Sequence, residues 1–135
     1  MATIETMTPV QAAALWSGLL LLLMLVLSVR VVMNRRKHKV LLGDGGGSQI
    51  TLAGRVFGNA AEYVPVGVGA LALLAMLGMP AMAVHAVGAG LLAGRLIHAV
   101  SLSDKKPTAG RVLGMVLTYA ALFTAGGMLM VHAFV

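Results

Sequence analysis

The chain has 135 residues, 59% of them hydrophobic and only 10% charged, where an average soluble domain is about 25% charged. The absence of cysteine excludes a disulfide framework, a thiolate metal site and a cysteine nucleophile. Ten Lys and Arg outnumber four acids for a formal charge of +6, but the cations flank apolar stretches, which argues for a membrane protein and against a nucleic-acid partner.

Four apolar stretches follow one another, each about the ~20 residues that a bilayer-crossing helix needs. The first, "VQAAALWSGLLLLLMLVLSVRVVM", begins at Val10. It lacks a basic leader and is followed by a basic cluster, so it is expected to be a retained span and not a cleaved signal. "LLGDGGGSQ", from Leu41, is a polar loop. The second stretch contains "AAEYVPVGVGALALLAML", and "GMP" at Gly78 to Pro80 breaks it from the third. That uncharged break predicts a tight helical hairpin. "AMAVHAVGAGLLAGRLIHAV" is the third, and "SLSDKKP" connects it to "VLGMVLTYAALFTAGGMLMVHAFV", with Pro107 expected near the start of the fourth helix. The reading is an all-α integral membrane fold, one domain over 1–135, with spans near 10–39, 50–77, 80–102 and 108–134.

All ten cations cluster around the first and third connections. Arg30, Arg35, Arg36, Lys37, Lys39 and Arg55 surround the first; Arg95, Lys105, Lys106 and Arg111 surround the third. This bias places those connections in the cytoplasm and both termini on the other side. Glycines four apart (Gly54 and Gly58, Gly90 and Gly94, Gly110 and Gly114) predict close helix approach, because small residues are what lets helices pack in lipid. Trp16 is expected to mark the outer interface. His85 and His132 are expected toward the same side, without the further ligands a metal site needs. His38 belongs with the basic cluster and is expected at lipid headgroups. The ten methionines read as adaptable packing. Tyr119 either lines a groove open to lipid or is a membrane tyrosine with a satisfied hydroxyl.

The most informative stretch is "RVFGNAAEYVP", at the entrance to the second span. On a helix, Arg55, Asn59, Glu62 and Tyr63 fall at i, i+4, i+7 and i+8 and share one face. One explanation is an internal ion pair, Glu62 meeting Arg55 or an arginine of another span. The other is a polar ligand site at the membrane edge. Arginine clamps a carboxylate, a carboxylate receives an ammonium group, and an amide serves a peptide bond, so the set suits a zwitterionic ligand.

This string resembles the second-span signature of the MAPEG family, the membrane-associated proteins of eicosanoid and glutathione metabolism. The pattern of Arg, three residues, Asn, two residues, Glu-Tyr, one residue and Pro is met at Arg55, Asn59, Glu62, Tyr63 and Pro65. The four-span layout agrees over nearly the whole chain, and "GRLIHAVSLS" from Gly94 is similar to the end of the third span in bacterial members. The resemblance implies a homotrimer with glutathione as co-substrate, bound between subunits near the cytoplasmic side. It implies that Arg55, Asn59, Glu62 and Tyr63 bind glutathione. Arg35 falls near a family arginine that also contacts it, and His98 stands where several members have a contacting tyrosine. Arg111 is the match to the arginine that stabilises the glutathione thiolate. A fixed cation favours the thiolate over the thiol, whose pKa is near 8.5, and the thiolate then attacks a lipophilic second substrate arriving from membrane lipid. The resemblance thus points to a glutathione transferase or peroxidase of a bacterial inner membrane. Two rivals are a non-catalytic lipid-binding or scaffold protein of the same fold and a small four-span multidrug exporter. In the exporter class the essential acid is expected in span one, which here has none.

Overall fold

A computed structural model describes residues 3–43, 45–102 and 108–134. A single 3-10 turn, Ile4–Thr6, precedes four helices: α1 (Pro9–Lys37), α2 (Ser48–Met76), α3 (Ala81–Ser101) and α4 (Ala109–His132). All four are long and apolar enough to cross a membrane, and no strand occurs among the described residues. The third connection's Lys105, Lys106 and the expected place of Pro107 lie outside the described residues.

The helix ends follow from local chemistry. Thr8 and Gln11 form a reciprocal capping box: Gln11 N donates to Thr8 Oγ1 at 3.2 Å, and Thr8 N donates to Gln11 Oε1 at 2.9 Å. Pro9 sits in the first turn of α1, where its missing N–H costs nothing. At the other end of the hairpin, Gly78 adopts φ +69°. The Met79 amide then reaches back to Leu74 O at 3.1 Å and the Gly78 amide to Ala75 O at 3.1 Å. A left-handed glycine closing the last turn in this way is a Schellman cap. The "GMP" break is thus a tight reversal, and it lays α2 and α3 antiparallel.

The most extensive interfaces are α3 with α4 and α1 with α2; α1 and α4 are the outlying pair. The buried core runs through Leu20, Leu27, Val56, Val64, Leu71, Leu74, Val84, Val87 and Leu91. Two of the three glycine pairs serve packing within the subunit. A Cβ on Gly94 would meet Thr118 Oγ1 at 2.6 Å and Gly114 O at 2.9 Å, and one on Gly114 would meet Gly94 O and His98 N, both at 2.7 Å. Here α3 and α4 touch backbone to backbone. Gly54 and Gly58, by contrast, face open space.

Trp16, near the start of α1, is held by contacts within the subunit. It packs inward over Gly88, where a Cβ would collide with its ring. Its indole Nε1–H donates to His85 Nδ1 at 2.9 Å, with the rings nearly perpendicular at 81°. His85 is 5% exposed, and its Nε2 has no partner among the described residues. This clasp ties the N-terminal parts of α1 and α3. Trp16→Phe keeps an aromatic ring, though a smaller one, and removes the N–H, leaving a second imidazole nitrogen unpaired. The expected result is a loss of about 1–2 kcal/mol in reversible denaturant unfolding in detergent, with ligand affinity unchanged.

Candidate functional site

At the end of the bundle where α2 begins and α3 finishes, the polar stripe of α2 meets a residue of α3 that sits at its centre. Arg95 is 1% exposed, the largest fully buried side chain in the core. Its position beside Gly94, at the point where α3 and α4 come closest, lets the guanidinium lie flat between helices. Nε donates to Thr118 Oγ1 at 2.9 Å, one terminal nitrogen to Asn59 Oδ1 at 2.6 Å, and the other to Gly114 O at 3.4 Å and Met115 Sδ at 3.3 Å. The guanidinium carbon also stands 4.9 Å from the centroid of the Tyr63 ring, a cation–π contact.

Every one of these partners is uncharged. Among the described residues Arg95 makes no ion pair, although Glu62 is close enough for their charges to interact. A buried cation held only by dipoles is a standing positive field. It fixes Asn59 and Tyr63 from behind and draws negative charge toward the surface they present. Thr118 completes the network by donating its one hydroxyl proton to Gly114 O at 2.8 Å.

The stripe predicted on α2 therefore splits. Asn59 and Tyr63 are partly buried and engaged by α3 and α4, whereas Arg55 and Glu62 are exposed and make no hydrogen bond or ion pair among the described residues. The internal ion pair between Glu62 and Arg55, or between Glu62 and an arginine of another span, does not form. One turn beyond Glu62 lies Pro65, inside the helix. Having no N–H, it leaves the Ala61 carbonyl without its usual helical donor and so adds a free acceptor beside Glu62. Tyr63 reaches across to α4, its hydroxyl 3.2 Å from that of Tyr119, with the two rings edge-on at 5.8 Å.

The remaining predicted residues fall in two groups. His98, one turn after Arg95, is 3% exposed and packs its backbone on Gly114. Arg111 is exposed in the first turn of α4 and near enough to His98 for their charges to interact. That turn is set by Thr108, which accepts from Arg111 N at 3.2 Å while donating to Ser101 O at 2.6 Å, stitching the start of α4 to the end of α3. Arg35 stands apart. It donates to Gly43 O at 2.8 Å and Leu41 O at 2.9 Å, so it shapes the loop after α1 and makes no hydrogen bond to the stripe among the described residues.

The sequence profile of the MAPEG family matches residues 13–131, which takes in nearly all of the four helices. The chain belongs to the MAPEG family. Its similarity extends to the Inner membrane protein YecN of Escherichia coli, in strain K12 and in an O6:H1 strain, each 41% identical over 86 residues. Those residues are 64% of this chain and 66% of YecN, just under two thirds of its length. No solved structure matches. In this MAPEG chain the residue that sequence reasoning underrated is Arg95. Its signal was present: a lone arginine inside an apolar span, directly after a glycine that lets a neighbouring helix close over it.

Proposed function

We propose that this MAPEG protein is a membrane glutathione-dependent transferase or peroxidase acting on lipophilic electrophiles or peroxides, with glutathione held at the cytoplasmic end of α2. The observation that carries this reading is the division of the stripe. Arg55 and Glu62 are open and unpaired, while Asn59 and Tyr63 between them are held rigid by a buried cation. A purely structural stripe would pair its charges with each other. This one leaves a cation and an anion outward, about 10 Å apart along the helix at 1.5 Å per residue. That separation suits a tripeptide with carboxylates at both ends and an ammonium group at one.

In this reading Arg55 clamps a carboxylate by paired hydrogen bonds, and Glu62 with the Ala61 carbonyl receives the ammonium. Asn59 and Tyr63 line the peptide between them, and His98 stands behind the sulfur end. Arg111, exposed and permanently charged, holds the sulfur as thiolate, which attacks the electrophile without any protein nucleophile. Arg35 is a further glutathione contact, beside the part of the loop that it holds after α1. Leaving Arg or Glu against hydrocarbon costs up to about 2.5–3.5 kcal/mol near the bilayer centre. The open charges of α2 and the unused Gly54 and Gly58 are therefore covered by another copy of the chain, in a homotrimer. Its cationic connections face the cytoplasm, and both termini lie outside, in a bacterial inner membrane.

A lipid-binding role without turnover is the second reading, favoured by one feature. A groove of about 620 Å³ runs along α1 past Leu25, Val29 and Met33, with Arg30 and Lys37 at its polar end. An acyl chain with an anionic head fits that chemistry whether it is substrate or passenger.

Glutathione titration by calorimetry in detergent, followed by a turnover assay, tests the proposal. Arg55→Ala is expected to weaken binding about 30-fold, the loss of a charge-assisted bond of about 2 kcal/mol. Its thermal unfolding stays unchanged, because Arg55 has no partner within the subunit. Arg111→Ala is expected to bind glutathione and to lose turnover. Unchanged affinity in the first variant makes the stripe structural; turnover that survives the second reassigns the activating cation.

A further inference from the structure

Tyr119 is 53% exposed on α4, yet its hydroxyl is turned to that of Tyr63. It lies eleven residues beyond the Thr108 cap, about 16 Å along the helix and well within the apolar span. Two hydroxyls carry two protons, and a bond between them uses one. The other has no acceptor among the described residues, a costly state for an O–H in hydrocarbon. Packing does not require it, since a phenylalanine would keep the edge-on contact with Tyr63 and face lipid at lower cost. The pair instead joins two environments. Tyr63 lies under the Arg95 guanidinium, in the polar network, and Tyr119 is half exposed on the apolar surface of the subunit.

We propose that Tyr119 is the general acid toward the lipophilic substrate, with the Tyr63–Tyr119 pair carrying its proton from the polar network to the lipid face. This rests on the glutathione-dependent activity proposed above, and it narrows the substrate class to electrophiles whose reaction generates an anion that must be protonated. For an α,β-unsaturated carbonyl the step balances as follows. The thiolate sulfur bonds to the β-carbon, and the C=C pair shifts to give an enolate. Tyr119 donates its proton to that enolate and takes the proton of Tyr63. Tyr63 regains one from the proton released when the glutathione thiol ionised. Thiol and enal give a thioether, with no oxidant or reductant required.

The test compares Tyr119→Phe with the unaltered protein on two substrates. trans-2-Nonenal needs a proton after attack; 1-chloro-2,4-dinitrobenzene expels chloride and needs none. The variant is expected to lose about 100-fold in kcat on the enal, the usual scale of general-acid catalysis. It should stay within about twofold on the chloroarene and bind glutathione as before. Equal losses on both substrates, or no loss on the enal, overturn the role of Tyr119 and leave the parent reading standing. An unaltered protein that binds glutathione and turns over neither substrate overturns the enzyme reading and this one with it.

Discussion

Replacing Arg95 with alanine is expected to be the most damaging single change in the polar network. It removes the partner of Asn59 Oδ1, the donor to Thr118 and the cation over Tyr63 in one step, and leaves a cavity where the largest fully buried side chain lay. Loss of a buried network together with its volume costs about 3–5 kcal/mol. The relevant measurement is the unfolding midpoint in detergent, with glutathione binding alongside. Arg95→Lys separates fold from function. An ammonium keeps the charge, but as a point it cannot hold Thr118 and Asn59 at the angles of a planar fork. It is expected to stay folded, with glutathione affinity reduced about tenfold. If Arg95→Lys binds as the unaltered protein does, the guanidinium geometry plays no part in ordering Asn59 and Tyr63.

Gly114→Leu is expected to prevent α3 and α4 from closing. The first atom of any side chain there would lie 2.7 Å from Gly94 O and from His98 N. Both are backbone atoms of a regular helix, so neither can turn aside as a side-chain tip can. Overpacking commonly costs about 1–3 kcal/mol and more where nothing can relax; here the upper end or beyond is expected. Separation of the helices would also pull Gly114 O and Thr118 away from Arg95, so stability and ligand binding should fall together. Gly54→Ala is the contrasting case. Its Cβ would enter open space, so the subunit's own stability should hold, and any effect should appear in assembly. Detergent unfolding and gel filtration of the two variants distinguish these outcomes. A Gly114→Leu protein that unfolds with the unaltered midpoint would refute the close contact.

What could be read without coordinates divides along physical lines. Span number and rough limits follow from segment length and apolarity, and Gly78 announced its reversal because a left-handed turn leaves little alternative. The polar stripe of α2 was legible because positions four and seven apart on a helix share a face whatever the tertiary structure. Its internal division was not legible. Whether Asn59 faces a ligand or Arg95 depends on how α3 crosses α2, and that crossing is set by the contact of Gly94 with Gly114, two spans away in sequence. The inner face of α1 was hidden for another reason. Its Leu-rich run is apolar on every side, so no periodicity distinguishes Leu20 and Leu27, which are buried, from Leu21 and Leu22, which are not. The bonds of Arg35 to its own loop were not legible either, because an arginine at a helix end is equally able to serve loop or ligand.

The clasp between Trp16 and His85 has an optical consequence. The chain contains one tryptophan, and that indole is hydrogen-bonded at the opposite end of the bundle from the network around Arg95. Ultraviolet emission from the purified protein therefore reports from one address, the seam of the first and third spans. Occupancy of the proposed site on α2 should leave its colour and intensity unaltered, whereas parting of that seam should redden or quench it.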